Sequence, residues 1–424
     1  MRTLLIVLGV LAIGATASLA VASASTTAHT QSSATAASPQ VVLDWNATAV
    51  ATTIAAGKSQ PESGLYVGLT QAAVYDAVIA IDGGFHPYLI VPGVPPGSSD
   101  EAAAAAAAYG VLVGYFPAQK PTLDVAYATS LAGIADGTAK DRGVLVGQQV
   151  AAGLIAARID DGRNAAVPFA PTPGPGVWQP TPPAFLPALH PWLGAMKPLL
   201  LDDASQFRPG PPPKLDSPQY TRDFNETRLY GALNGSLRTP EQTETALFWT
   251  ENAAQQYNRA LRTFVSARQL NLRDAAHALA MADTTMADSL IACWDAKMTY
   301  AFWRPVTAIP AGATDGNDQT TADPNWLPLR PTPNHPEYPS AHTCLAGAFS
   351  EALSEIAGND NIDLEVSSTV TGTTREYRHV DDLKRDIINA RVFVGFHWRT
   401  SGEVGFKLGT DVAHWALHNY FQQD

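Results

Sequence analysis

Lys297–Pro305 reads KMTYAFWRP, Pro339–His342 reads PSAH and Arg391–His397 reads RVFVGFH. Between them these stretches supply an ammonium (Lys297), two guanidinium groups (Arg304 and Arg391), a hydroxyl (Ser340) and two imidazoles (His342 and His397), with no carboxylate inside the spacings. Such a set suits a tetrahedral oxyanion. Guanidinium forks match two of its oxygens at once, and an ammonium adds a point charge. Ser340 precedes an apolar run, which predicts a helix start whose backbone N–H groups also favour an anion. Two imidazoles add what an anion clamp lacks: one group to bond the central atom and one to move a proton. His342 falls in the predicted first helical turn, where the positive helix end lowers its pKa.

The order Lys-x6-Arg-Pro, Pro-Ser-x-His, Arg-x5-His resembles the vanadium-dependent haloperoxidases and the type 2 phosphatidic acid phosphatases, which share one anion site. The resemblance covers roughly residues 290–410, and the three motifs in order are far more specific than any one of them. It implies that Lys297, Arg304, Ser340 and Arg391 hold the oxyanion and that His342 is the acid–base residue. His397 becomes the apical group, a vanadium ligand in a peroxidase or the phosphoryl acceptor in a phosphatase. Ala341 stands where the family carries Gly, whose N–H contacts the anion. Ala keeps that N–H, so the match weakens only if the position needs a backbone angle reserved for Gly. Trp294 matches an aromatic near the halide region of chloride-oxidising relatives, and His335 falls where bromide-oxidising relatives carry His; both also read as packing residues.

The resemblance leaves the chemistry open between vanadate as cofactor, with hydrogen peroxide and halide as substrates, and a phosphatase acting on phosphoesters and holding inorganic phosphate. The phosphatases orient their nucleophilic His with an Asp four residues on. Here that position is Ser401, which favours the peroxidase, although Asp223 or Glu226 is a candidate substitute. A third reading is a non-catalytic phosphate binder, against which both His count.

Outside the motifs the pattern is helical. Apolar residues three or four apart mark Asp44–Ala56, Tyr66–Ile81, Asp100–Tyr115, Pro121–Ala135 and Thr138–Ile159, then Thr221–Leu233, Glu241–Asn252, Ala253–Ala267 and Leu272–Thr299. Helices are also expected from Ser340 to about Ile356, over Asp381–Phe396 and over Val404–Tyr420. Lys297 and Arg304, seven apart, share a face if the helix runs on. Val167–Pro218 is proline-dense with interleaved Trp178, Phe185, Trp192 and Phe207, which reads as an ordered wrap rather than a linker. Ala311–Pro339 is a loop, and Val366–Thr374 a short hairpin or irregular loop. Sustained period-2 alternation is not found. The expected fold is an all-α multi-helix bundle with Pro-rich connectors over residues 41–424, one domain or two helical halves.

Met1–Ala24 reads as a secretory signal, with Arg2, an apolar run from Leu4 to Ile13, and Ala22-Ser23-Ala24 before the cut. Residues 25–40 read as a disordered leader, and no later segment reads as a membrane span. The expected location is therefore extracellular. A net charge of −12 argues against nucleic acid or anionic membrane as the main partner. Cys293 and Cys344 are either a disulfide or two buried thiols.

Overall fold

Why helices form where they do is legible in their caps. In the computed structural model, which describes residues 38–424, the N-terminal part holds α1 (Gln40–Ala55), α2 (Gln60–Asp82), α3 (Asp100–Tyr115), α4 (Lys120–Ala132) and α5 (Thr138–Ala157). Ser59 and Glu62 close a reciprocal capping box on α2, and Ser99 caps α3. The Ala102–Ala108 run of α3 is wholly buried, so small side chains let its neighbours approach closely. Residues Gln60–Asp82 are by length and composition apolar enough to cross a membrane, which departs from the expectation of no such segment, yet most of that helix is buried in this core.

A middle group follows: α6 (Pro218–Tyr230), α7 (Pro240–Phe248), α8 (Ala253–Ala267) and the long α9 (Leu272–Tyr300). Ser217, Thr239, Asn252 and Asn271 each cap the helix they precede. The proline-dense segment before α6 is ordered against this frame. Asp288 of α9 accepts the N–H groups of Leu199, Leu200 and Leu201 at 2.7–2.8 Å. Trp178 and Trp192 are buried there and Phe207 half-buried, while Phe185 points to solvent at 64% exposure, against expectation.

The C-terminal part comprises α10 (Pro305–Ala308), α11 (Ala341–Ala357), strands β1 (Asn361–Ser367) and β2 (Thr374–His379), α12 (Val380–Phe393) and α13 (Arg399–Asn419). The strands form an antiparallel hairpin, Glu365 opposite Glu376 and Val366 opposite Arg375. In β1, Ile362, Leu364 and Val366 face inward and alternate with polar residues, a period-2 pattern that the sequence reading overlooked. Helices α11 and α13 meet backbone to backbone: a Cβ on Gly409 would sit 1.9 Å from the Cys344 carbonyl oxygen.

Two further expectations change. Helix α9 ends at Tyr300, because Ala301 turns left-handed (φ 44°) and donates its N–H to Lys297, so Lys297 and Arg304 do not share one helix. Helix α1 begins at Gln40, inside the expected leader. The described residues form one compact unit. The signal segment, and the leader up to residue 37, lie outside the described residues.

Candidate active site: an oxyanion cradle

Five segments converge on one cavity of about 460 Å³. Helix α9 brings Trp294, the loop before α11 brings His335, the start of α11 brings Ala341 and His342, the last turn of α12 brings Arg391, and the turn beyond it brings His397. All six line the cavity. Lys297, Arg304 and Ser340 lie behind this lining and are fully buried.

Ser340 is the N-cap of α11, yet its side chain does not cap. Ser59, Ser99 and Ser217 all do so for their own helices. Its Oγ is buried with no partner, as are Nε2 of His342 and Nε of Arg391. Unpaired buried polar atoms cost free energy unless a ligand satisfies them. Three of them around one cavity, beside the start of a helix, fit a tetrahedral oxyanion such as vanadate or phosphate. Ala341 is the first residue of α11 and is absent from the positive-φ positions, so the missing Gly costs nothing in backbone angle.

The electrostatics agree. Burial pulls Arg304 and Arg391 down to about 10 and Lys297 down to about 8, since charge is disfavoured away from water. Burial, then the Arg391 charge, holds His342 well below the ordinary imidazole value. For His397 burial again comes first, followed by Arg304, Lys297 and Arg391. His335 is lowered for the same reason, its ring 4.9 Å from that of Trp294 and its Nδ1 3.0 Å from Nη2 of Arg304. Both imidazoles proposed for chemistry are thus neutral, and the surplus charge is positive.

Lys297 departs from its expected place. Its ammonium donates to the carbonyls of Pro336, Glu337 and Pro339, so it holds the loop that leads into Ser340 rather than facing the cavity. Arg304 donates to the carbonyls of His335 and Phe396 and, at 2.9 Å, to Nε2 of His397. Arg391 donates to the Trp249 carbonyl and keeps Nε free. The indole N–H of Trp294 is taken by the Leu189 carbonyl, so this residue offers the cavity its ring alone.

Sequence reasoning missed Glu337. This buried carboxylate accepts from Nδ1 of His397 at 2.8 Å, from the Trp398 N–H at 3.1 Å and from the Ser401 hydroxyl at 2.7 Å. Asp223 instead accepts the Thr400 N–H and Glu226 pairs with Arg399, so neither touches His397 through a hydrogen bond. The signal was Glu337 itself, two residues before Pro339 and just outside the PSAH spacing. Cys293 and Cys344 are free thiols, buried and within hydrogen-bond reach of each other.

Residues 277–423 match a family described as the VCPO second helical-bundle domain. The vanadium chloroperoxidase of Curvularia inaequalis is 24% identical over 40% of this chain, and the chain covers 37% of that protein's length. A structure described as the first bacterial vanadium-dependent iodoperoxidase superposes with a TM-score of 0.77 at 22% identity, covering 91% of this chain and 97% of that one. A holo-type bacterial vanadium-dependent chloroperoxidase gives 0.66 at 20% identity, covering 85% and 92%. At these identities the superpositions speak for the fold, and the motifs and family match speak for descent. The chain is related to the vanadium haloperoxidases: residues 277–423 carry their second helical-bundle domain, and the helical fold around it is theirs.

Proposed function

We propose that this protein is a vanadate-dependent haloperoxidase, using hydrogen peroxide to oxidise halide. The observation that carries the proposal is the set of unpartnered buried polar atoms, His342 Nε2 and Arg391 Nε on residues that line one cavity with Trp294 and His335, and Ser340 Oγ behind that lining. The relatives' vanadium dependence supports the choice of cofactor. His397 would hold vanadate through Nε2, with Arg304 turning its Nη1 from that nitrogen to an anion oxygen. Ser340, Arg391 and the Ala341 N–H would hold the remaining oxygens. Bound there, vanadate supplies a Lewis acid that activates peroxide toward halide. His342, neutral and unpartnered at Nε2, is placed to take the peroxide proton at that atom. Trp294 and His335 wall the side where halide would enter.

Ser401 in place of Asp no longer counts against a phosphatase, because Glu337 already bonds His397. That contact favours a phosphohistidine reading as the second choice. One assay separates them, because the same ion is cofactor in one and inhibitor in the other. Purified protein, with and without orthovanadate, is given bromide, hydrogen peroxide and a dye, and separately p-nitrophenyl phosphate. Vanadate-dependent bromination is expected. Rapid phosphoester cleavage blocked by vanadate, with no bromination, would overturn the peroxidase. We also propose export, with the mature chain starting near Ser25.

A further inference from the structure

We propose that Glu337, clasped by Ser401, is the positioning carboxylate of His397, doing from the loop before α11 what a carboxylate at position 401 would do from α13. The inference rests on the reading of His397 as the residue that bonds the anion's central atom.

The tautomer follows from the partners. Arg304 Nη1 lies 2.9 Å from His397 Nε2, and a guanidinium can only donate, so Nε2 carries a lone pair. The ring hydrogen is then on Nδ1, where Glu337 Oε1 accepts it at 2.8 Å. Glu337 is itself held at every polar point. Its Oε2 accepts from Ser401 Oγ, its carbonyl from the Lys297 ammonium, and its N–H donates to the Phe302 carbonyl. Ser401 closes the loop, because its carbonyl accepts the Ser340 N–H at 2.9 Å. Residue 401 therefore ties the ring of His397, through Glu337, to the backbone of Ser340. Lys297, short of the cavity, acts through the same unit by pinning the Glu337 backbone. The carboxylate has changed its place in the chain and kept its place beside the ring.

The test uses the full mature chain as wild type, Glu337→Ala, Glu337→Gln, Ser401→Ala and the double variant Glu337→Ala/Ser401→Asp. Three quantities are measured: the His397 tautomer by ¹⁵N NMR without oxyanion, the affinity for orthovanadate and for phosphate by titration, and the melting temperature. Wild type should show the Nδ1–H tautomer. Glu337→Ala should lose that fixed tautomer and bind orthovanadate about 10–100-fold more weakly, with Ser401→Ala smaller in the same direction. Glu337→Gln keeps the shape and an oxygen that accepts the Nδ1–H but removes the charge, so it should keep the tautomer and lower orthovanadate affinity, and it carries the affinity measurement if the alanine variant does not fold. The double variant should recover most of the lost affinity and the Nδ1–H tautomer, which a purely structural role for Glu337 does not predict. Wild-type tautomer and affinity in Glu337→Ala would overturn the proposal, as would a folded double variant no better than Glu337→Ala. If wild type binds neither anion, the haloperoxidase reading fails, while the tautomer still decides the role of Glu337.

Discussion

Ser340 shows at the scale of one residue how a site differs from a scaffold. A serine that starts a helix without capping it, buried and unpaired, destabilises the anion-free protein. Ser340→Ala should therefore raise the melting temperature of the anion-free form and weaken phosphate binding by about 1 kcal/mol, read by calorimetry of both. Arg391→Ala should cost about 1.5–3 kcal/mol of phosphate affinity, since it removes charge-assisted hydrogen bonds. Lys297→Met should do the opposite of what its motif suggests. It leaves three carbonyls unpaired, so stability to urea falls by at least about 2 kcal/mol, while anion affinity falls less than in Arg391→Ala. His342 gives the pH dependence. Its free-state pKa lies well below the ordinary value, and a bound dianion raises it, so binding takes up a proton. Affinity for sulfate, whose charge is constant over the range, should rise as pH falls through the bound-state pKa and level off at the free-state pKa; His342→Gln should show a shallower rise. Motif residues were legible because their spacing is covalent. Glu337 was not, because only the fold brings it to a ring sixty residues away.

At the scale of elements, helices with a clear apolar period were readable from sequence, but the capping box at Ser59–Glu62 was passed over, so α2 begins at Gln60 rather than at the expected Tyr66. What else failed was set by tertiary context. Among the described residues the seven-residue β1 pairs only with β2, and it is too short to announce itself against long helical windows. The stop of α9 at Tyr300 turns on a left-handed Ala301, which no residue preference indicates. The α11–α13 contact was equally invisible, although glycines make it possible. Gly409→Ala must push α13 from α11 and should cost about 1–3 kcal/mol, measured as a lower urea midpoint. Because Ser401 rides on α13 and Ser340 starts α11, the same change should weaken phosphate binding.

For the whole molecule, the chain carries −12 overall, yet its buried centre is cationic at Lys297, Arg304 and Arg391. Composition alone pointed away from anionic polymers and said nothing about a small anion, which depends on where the few cations are placed. The export proposal is tested by mass spectrometry of protein recovered outside the cell. The expected N-terminus is near Ser25, and material still starting at Met1 would overturn it.

The carbonyl cage around Lys297 also makes that residue a clock. An ammonium with its hydrogens donated and no solvent access is closed to acylating reagents, although burial has brought it down to about 8, where an exposed amine reacts readily. Its modification can proceed only when the loop from Pro336 to Pro339 lifts away. Slow labelling at Lys297, timed against the exposed Lys407, therefore counts the openings of that loop, and vanadate or phosphate should slow the count in proportion to its occupancy.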